Sequence, residues 1–217
     1  MGTPTKLGKY VLAPEPLGEG AMGVVYKGFD PDLQHAVAIK VIRRELVDGP
    51  GGEPMRQRFK NEAIAGRRLR HPNIVPVYEY GEDEDCSYIV MAFVDGQPLK
   101  EALDAGPRPL VSEALAITRQ LLDALQHAHR HNVVHRDIKP ANLLVGADGE
   151  FHVADFGIAK IDLADLTRTG QLLGTPAYMS PEQCQATPSD HRADIFAAGV
   201  VLSWPGSSRS GRRRRWP

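Results

Sequence analysis

His135-Arg136-Asp137-Ile138-Lys139-Pro140-Ala141-Asn142 decides the reading of this chain. The stretch follows a long helical segment and the pair Val133-Val134, and it runs into the apolar Leu143-Leu144-Val145. It therefore reads as a loop between buried elements. Within it, Asp137, Lys139 and Asn142 offer a carboxylate, an ammonium and an amide. Those groups suit three tasks: orienting a hydroxyl, neutralising a phosphate and holding a divalent cation. After a second short strand, Phe151-His152-Val153, Asp155-Phe156-Gly157 offers another hard oxygen ligand.

Upstream, Leu17-Gly18-Glu19-Gly20-Ala21-Met22-Gly23-Val24-Val25 contains G-x-G-x-x-G-x-V between two strand-like segments. Glycines are needed where backbone N–H groups approach phosphates with no Cβ in the way. A glycine-rich hairpin with no ligand explains the motif alone about as well. A dinucleotide site explains it less well, because that fingerprint opens a helix and Val24-Val25-Tyr26 continues as strand. Lys40 ends Val37-Ala38-Ile39-Lys40, and strand alternation puts it on the face of Ala38. Most strand lysines are simply solvated. Glu62 sits mid-helix where it could pair with Lys40, although a lone Glu among Arg56, Arg58, Lys60, Arg67 and Arg68 is usually a surface residue.

The pattern around these motifs divides the chain. Met22 to Phe29, His35 to Ile42, Ile74 to Tyr80 and Cys86 to Phe93 read as strands, with one helix over Pro54 to Arg70 between the pairs. This is a small antiparallel sheet with a single helix. Beyond Asp95-Gly96 the pattern turns helical. Ser112 to Arg130 places Leu115, Thr118, Leu122, Leu125 and His129 at three- and four-residue steps, and Ser112 reads as its cap. A long irregular stretch follows from Lys160 to Gln185, then a helical start over His191 to Leu202.

Composition sets the class. With 42% hydrophobic and 24% charged residues, 217 residues can build a sizeable core. The formal net charge of −1 gives no global push toward nucleic acid, so nucleic acid is not the expected partner. Cys86 and Cys184 match no metal-ligand spacing and read as reduced thiols. No signal-peptide run opens the chain and no window reaches membrane-spanning length, so a cytoplasmic protein is expected.

In this order and spacing the motifs resemble the protein-kinase signature set. His71-Pro72-Asn73-Ile74-Val75 and Gly174-Thr175-Pro176-Ala177-Tyr178-Met179-Ser180-Pro181-Glu182-Gln183 are most similar to eukaryotic-type (Hanks-type) bacterial serine/threonine kinases. The resemblance implies an α+β, two-lobed protein-kinase-like fold. Its expected parts are a leader over 1–9, a small lobe over 10–94, a partial large lobe over 95–202 and an Arg-rich, disordered tail over 203–217. It implies ATP and Mg2+ as cofactors, and proteins bearing Ser or Thr hydroxyls as substrates.

By the same resemblance, the loop from Leu17 to Val25 (Gly18, Glu19, Gly20, Ala21, Met22, Gly23 and Val24 between) covers the ATP phosphates. Lys40, held by Glu62, contacts the α- and β-phosphates. Asp137 takes the substrate hydroxyl's proton, Lys139 screens the γ-phosphate, and Asn142 and Asp155 hold the metal ions. Met91 takes the gatekeeper place, the backbone of Ala92 and Val94 meets adenine, and Val25, Ala38 and Leu144 sandwich the purine. Arg136 needs a counter-charge that a phosphate on Thr167 or Thr169 could supply, implying autophosphorylation and self-association for it.

Four positions depart from the family pattern. Gly66, one turn after Glu62, replaces a large apolar residue expected against Phe156 and His135, which should loosen that helix by about 1 kcal/mol. Ala92 replaces a common hinge acid, and Ser180 replaces the usual alanine before Pro181-Glu182. After Leu202, Ser203-Trp204-Pro205-Gly206 halts the helical pattern, and five arginines follow from Arg209 to Arg215. That tail reads either as a basic arm or, better, as an out-of-frame replacement of further helices. On the second reading Glu182 lacks its usual arginine, and the alternative to an enzyme is an inactive kinase fragment acting at most as a nucleotide-binding or interaction module.

Overall fold

The computed structural model describes residues 6–20, 23–42, 52–83, 86–105, 109–146, 149–156, 176–185 and 187–203. Within helix 52–67 it leaves out the side chains at 54, 55, 58 and 62. The chain forms two units: Met1–Arg68 with Pro76–Val94, and Leu69–Val75 with Asp95–Pro217.

The first unit is a six-stranded antiparallel sheet. Its strands are β1 (Lys6–Leu7), β2 (Tyr10–Glu19), β3 (Gly23–Asp30), β4 (His35–Ile42), β5 (Val77–Asp83) and β6 (Cys86–Ala92), in the order β1-β2-β3-β4-β6-β5. β4 is central and buried on both faces, which explains why His35 to Ile42 is almost continuously apolar. One face carries a core of Leu7, Tyr10, Leu12, Tyr26, Val37, Ile39, Tyr88 and Val90. Leu7 belongs to this core, so the sheet begins inside the stretch read as a leader. Helix α1 (Gly52–Arg67) packs on β5 and stands Phe59 edge-on to Tyr80 at 6.0 Å. It runs unbroken through Gly66, which is buried.

The second unit opens with a segment that precedes β5 in sequence. Ile74 bridges Val153 in parallel, Val75 N–H donates to the Val153 carbonyl at 3.0 Å, and Val153 N–H donates to the Asn73 carbonyl at 2.9 Å. Asn73 Nδ2 also donates to Gln120 Oε1 (2.9 Å) and the Phe151 carbonyl (2.8 Å). These bonds begin β5 three residues later than expected, at Val77 rather than Ile74. The remaining elements are β7 (Gly96–Pro98), α2 (Leu99–Ala105), α3 (Val111–Arg130), β8 (Leu143–Gly146), β9 (Phe151–Val153), α4 (Pro181–Cys184) and α5 (Arg192–Leu202), with one-turn 3-10 helices at Pro140–Asn142 and Pro176–Tyr178. β7, β8 and β9 form a small antiparallel sheet.

Helix α3 corrects two expectations. Its cap residue is Leu110 rather than Ser112: Glu113 Oε2 accepts the Leu110 N–H at 2.6 Å, so an acid in the first turn satisfies the helix end. Its buried stripe is Leu121, Ala124, Leu125 and Ala128, whereas Leu115 and Leu122 are exposed. The small residues of the true stripe admit α5, whose own buried positions are Ala193, Asp194, Ala197 and Ala198.

Candidate active site

In the first unit, the antiparallel register places Val25 opposite Lys40 and Lys40 opposite Ile89, with Ala38 opposite Met91. Directly paired residues project to the same side of a sheet, and alternate residues share a face. Val25, Ala38, Lys40 and Met91 therefore share the face opposite the Tyr26, Val37 and Ile39 core. Lys40 is only 8% exposed there. Ala92 commits its N–H to the Pro76 carbonyl at 2.9 Å, and Val94 ends the unit.

The glycine loop is tied by a bond from Gly20 N–H to the Gly23 carbonyl at 2.9 Å. A Cβ on Gly23 would strike the Val41 carbonyl, so packing against β4 alone demands glycine there. A Cβ on Gly18 would meet nothing, and one on Gly20 only the Gly23 carbonyl at 3.9 Å. Those two glycines leave open the approach that a phosphate group requires. Leu17, Glu19, Val24 and Val25 lie on the two paired strands. Ala21 and Met22, the side chain of Glu62, and Gly157, Thr167, Thr169 and Thr175 lie outside the described residues.

In the second unit the loop from His135 to Asn142 is built around Asp194. This carboxylate is 0% exposed and accepts three bonds, from His135 N–H (2.8 Å), Arg136 N–H (2.6 Å) and His129 Nε2 (2.8 Å). A buried carboxylate is tolerated only when so satisfied. The His135 ring accepts the Asp137 N–H at Nδ1 (3.2 Å), so its proton is on Nε2, which donates to the Ala154 carbonyl (2.9 Å). The same ring stands edge-on to Phe156 at 4.8 Å. His135 thus joins the loop from His135 to Asn142 to the segment that carries Asp155, and the bond from Ala154 N–H to the Asn142 carbonyl (2.9 Å) repeats that join.

Within this frame the polar side chains meet. Lys139 Nζ donates to Asp137 Oδ2 at 2.8 Å, and Asn142 Nδ2 donates to the same oxygen at 3.1 Å and to the Asp137 carbonyl at 2.8 Å. With its amide nitrogen spent on Asp137, Asn142 presents Oδ1 as an acceptor. That orientation fits an oxygen ligand to a hard divalent cation, and the Asp155 carboxylate is the second such donor. Leu144 is half-buried on β8, paired with Pro98 and His152.

Three backbone positions near the loop are left-handed without being glycine: Asn132 (φ 58°), Arg136 (φ 62°) and Asp155 (φ 60°). Asn and Asp adopt this region more readily than other non-glycine residues, whereas Arg does so at a cost of roughly 1–2 kcal/mol. The Arg136 backbone is held on both sides of its Cα, its N–H by Asp194 and its carbonyl by Gln183 Nε2 at 2.9 Å. Neither Asp194 nor Gln183, nor the link from His129 to Asp194, follows from the motif reading. Each left a sequence signal: an acid inside the apolar run Ala193 to Leu202, and the spacing Ser180-x-x-Gln183 of a capping box.

An antiparallel sheet unit with one helix, and a largely helical unit holding the loop from His135 to Asn142, make an α+β chain of the protein-kinase type. The protein kinase domain model matches residues 13–204. The chain is 41% identical over 187 residues to serine/threonine-protein kinase PrkC of Bacillus subtilis, across 86% of this chain and 28% of that protein. It is 41% identical over 196 residues to serine/threonine-protein kinase pkn3 of Myxococcus xanthus, across 86% of this chain and 35% of that protein. The chain thus spans about a third or less of these relatives. The crystal structure of the Mycobacterium tuberculosis PknI kinase domain matches with a TM-score of 0.72 at 31% identity, covering 93% of this chain and 74% of that one. The chain belongs to the protein kinase family, among the eukaryotic-type serine/threonine kinases of bacteria.

Proposed function

We propose that this chain transfers the γ-phosphoryl group of ATP to serine and threonine hydroxyls of proteins. The observation that carries the proposal is the meeting of Lys139 and Asn142 on one oxygen of Asp137, in a loop whose backbone is held by a buried acid. The hydroxyl oxygen of the substrate bonds to the γ-phosphorus as the bond to the β–γ bridging oxygen breaks, leaving ADP. The hydroxyl proton goes to the Asp137 carboxylate. Lys139 stabilises charge on the transferring group. Asn142 and Asp155 hold Mg2+, which neutralises phosphate charge when bound. Lys40, with Glu62, engages the α- and β-phosphates, and the glycine loop covers them. Val25, Ala38, Met91, the backbone of Ala92 and Val94, and Leu144 receive the adenine.

Thr167 and Thr169 are the proposed autophosphorylation sites, reached in trans between two copies. The relatives' names support hydroxyl specificity, since both are serine/threonine-protein kinases. The test is intact mass of the purified chain after incubation with Mg2+ and ATP, beside Asp137→Asn. Phosphate-sized increments on the wild type alone are expected. Their absence from both proteins would exclude the activity and leave an inactive member of the family.

A further inference from the structure

We infer that Gln183, oriented by Ser180, is a positioning residue for phosphoryl transfer, acting through the Arg136 carbonyl on the placement of Asp137. The inference rests on the kinase reading above and goes beyond its motifs, which give neither side chain a task.

Both side chains are buried. Gln183 Oε1 accepts from the Ser180 N–H (3.1 Å) and from the Ser180 hydroxyl (3.3 Å). An oxygen facing two donors fixes which end of the amide is which. Nε2 must then face the other way, and there it donates to the Arg136 carbonyl at 2.9 Å. Arg136 is the left-handed residue immediately before Asp137. Its conformation is unfavourable on its own and persists only where surroundings over-determine it. Asp194 holds the peptide before Arg136 by its N–H, and the peptide after it is held by Gln183 at the carbonyl and by His135 Nδ1 at the Asp137 N–H. Without Gln183 the Arg136–Asp137 peptide keeps only the longer bond from its N–H to His135 (3.2 Å) and can rotate about its soft dihedrals, carrying the Asp137 side chain away from Lys139 and Asn142. The serine at 180 gains a reason here: alanine would keep the N–H but remove the hydroxyl that helps hold the amide in this sense.

A capping role alone and a positioning role make opposite predictions for Gln183→Glu. Glutamate is as good as glutamine at the third position of a capping box, so the helix end keeps its bonds to Ser180. The introduced carboxylate, however, turns an acceptor toward the Arg136 carbonyl, where a donor is required. Only its protonated form can donate there. The ionisable groups in the same network are Glu182 next in sequence, Arg136, Asp137, Asp194 and the imidazoles of His129 and His135, so each variant is read against the wild type at the same pH.

The experiment compares the wild type, Gln183→Glu and Ser180→Ala as full chains. It measures backbone amide hydrogen exchange at Arg136 and Asp137, and phosphoryl-transfer kcat and KM for ATP, from pH 8 to pH 5.5. For Gln183→Glu at pH 8, exchange at these amides is expected to quicken about tenfold relative to wild type and kcat to fall about tenfold, with KM for ATP unchanged. Both ratios should return toward one as the pH falls. Ser180→Ala should show a smaller change in the same direction at every pH. Wild-type exchange and kcat in Gln183→Glu at pH 8 would overturn the inference, and so would a deficit that acid does not relieve. If the wild type transfers no phosphate, the kinase reading fails, and the exchange comparison still decides whether Gln183 holds the loop.

Discussion

At the scale of single residues, the glycine loop separates two reasons for the same amino acid. Gly23 is demanded by the Val41 carbonyl, whereas Gly18 and Gly20 border open space. Gly23→Ala should therefore destabilise the fold by roughly 1–3 kcal/mol through overpacking. Gly20→Ala should change stability by less than about 0.5 kcal/mol while weakening ATP binding. Denaturant titration of both variants, beside ATP affinity for the folded one, separates the effects. Equal stability of the two would refute the packing account.

Legibility at this scale follows the chemistry. Asp137, Lys139 and Asn142, which the structure brings onto one oxygen, stand out in the sequence because binding a divalent cation and a phosphate would call for such groups at such a spacing, and Asp155 stands out for the same reason. Asp194 and Gln183 escaped because they serve the backbone, and a carboxylate or amide bonded to peptide groups sets no spacing to its partners. Asp194 lies 58 residues from the Arg136 N–H it accepts. An acid inside an apolar run hints at its burial, but only the folded chain shows which peptide groups it serves.

At the scale of elements, β4 and β8 are legible because a central strand must be apolar on both faces. The buried face of α3 differs from the one its leucine spacing suggests, for a physical reason. Leucines at helical spacing look like a core stripe, but the close approach of α5 selects Ala124 and Ala128 and turns Leu115 and Leu122 outward. The C-terminal end of α3 carries a further consequence. The His127 ring lies 4.5 Å from that of His131 and 5.3 Å from that of His71, and its Nε2 is buried without a partner among the described residues. Burial, followed by the charges of His131, His71 and Arg130, pulls its pKa below 6.5. The helix dipole favours a cation at this end but does not prevail.

Because His127 takes its proton later in the folded state than in the unfolded one, its contribution is complete above about pH 6.5. It is lost as the pH falls toward the lower folded pKa. The melting temperature should thus drop between pH 7 and 5.5, and His127→Gln should flatten part of that drop. An identical pH profile in the variant would remove His127 from the account.

At the scale of the whole molecule, the second unit exposes large apolar side chains on α3 and α5. Leu115 is 56% and Ile195 47% exposed, and Val111, Phe196 and Leu202 are exposed as well. Leu115 and Leu202 line a pocket of about 260 Å3 with α2, and Leu122 and Ile195 line a cavity of about 510 Å3 with His129 and His191. Apolar surface of this kind promotes association. The double substitution Leu115→Gln with Ile195→Gln should lower binding of a hydrophobic dye and raise the concentration at which the protein stays monodisperse. Unchanged scattering and dye binding would show these side chains to be covered.

The Leu69–Val75 segment gives the molecule an order in time. Asn73 depends on acceptors at Gln120 and Phe151, and Ile74 on Val153. A chain emerging from the ribosome exposes this segment long before those partners exist. The link between α1 and β5 must wait, its ends belonging to one unit and its middle to the other, until some eighty residues more have been translated. For the same reason neither unit can be excised as one uninterrupted piece of gene, and a recombination event that exchanged one half for another would have to carry this insert with the half that translation completes last.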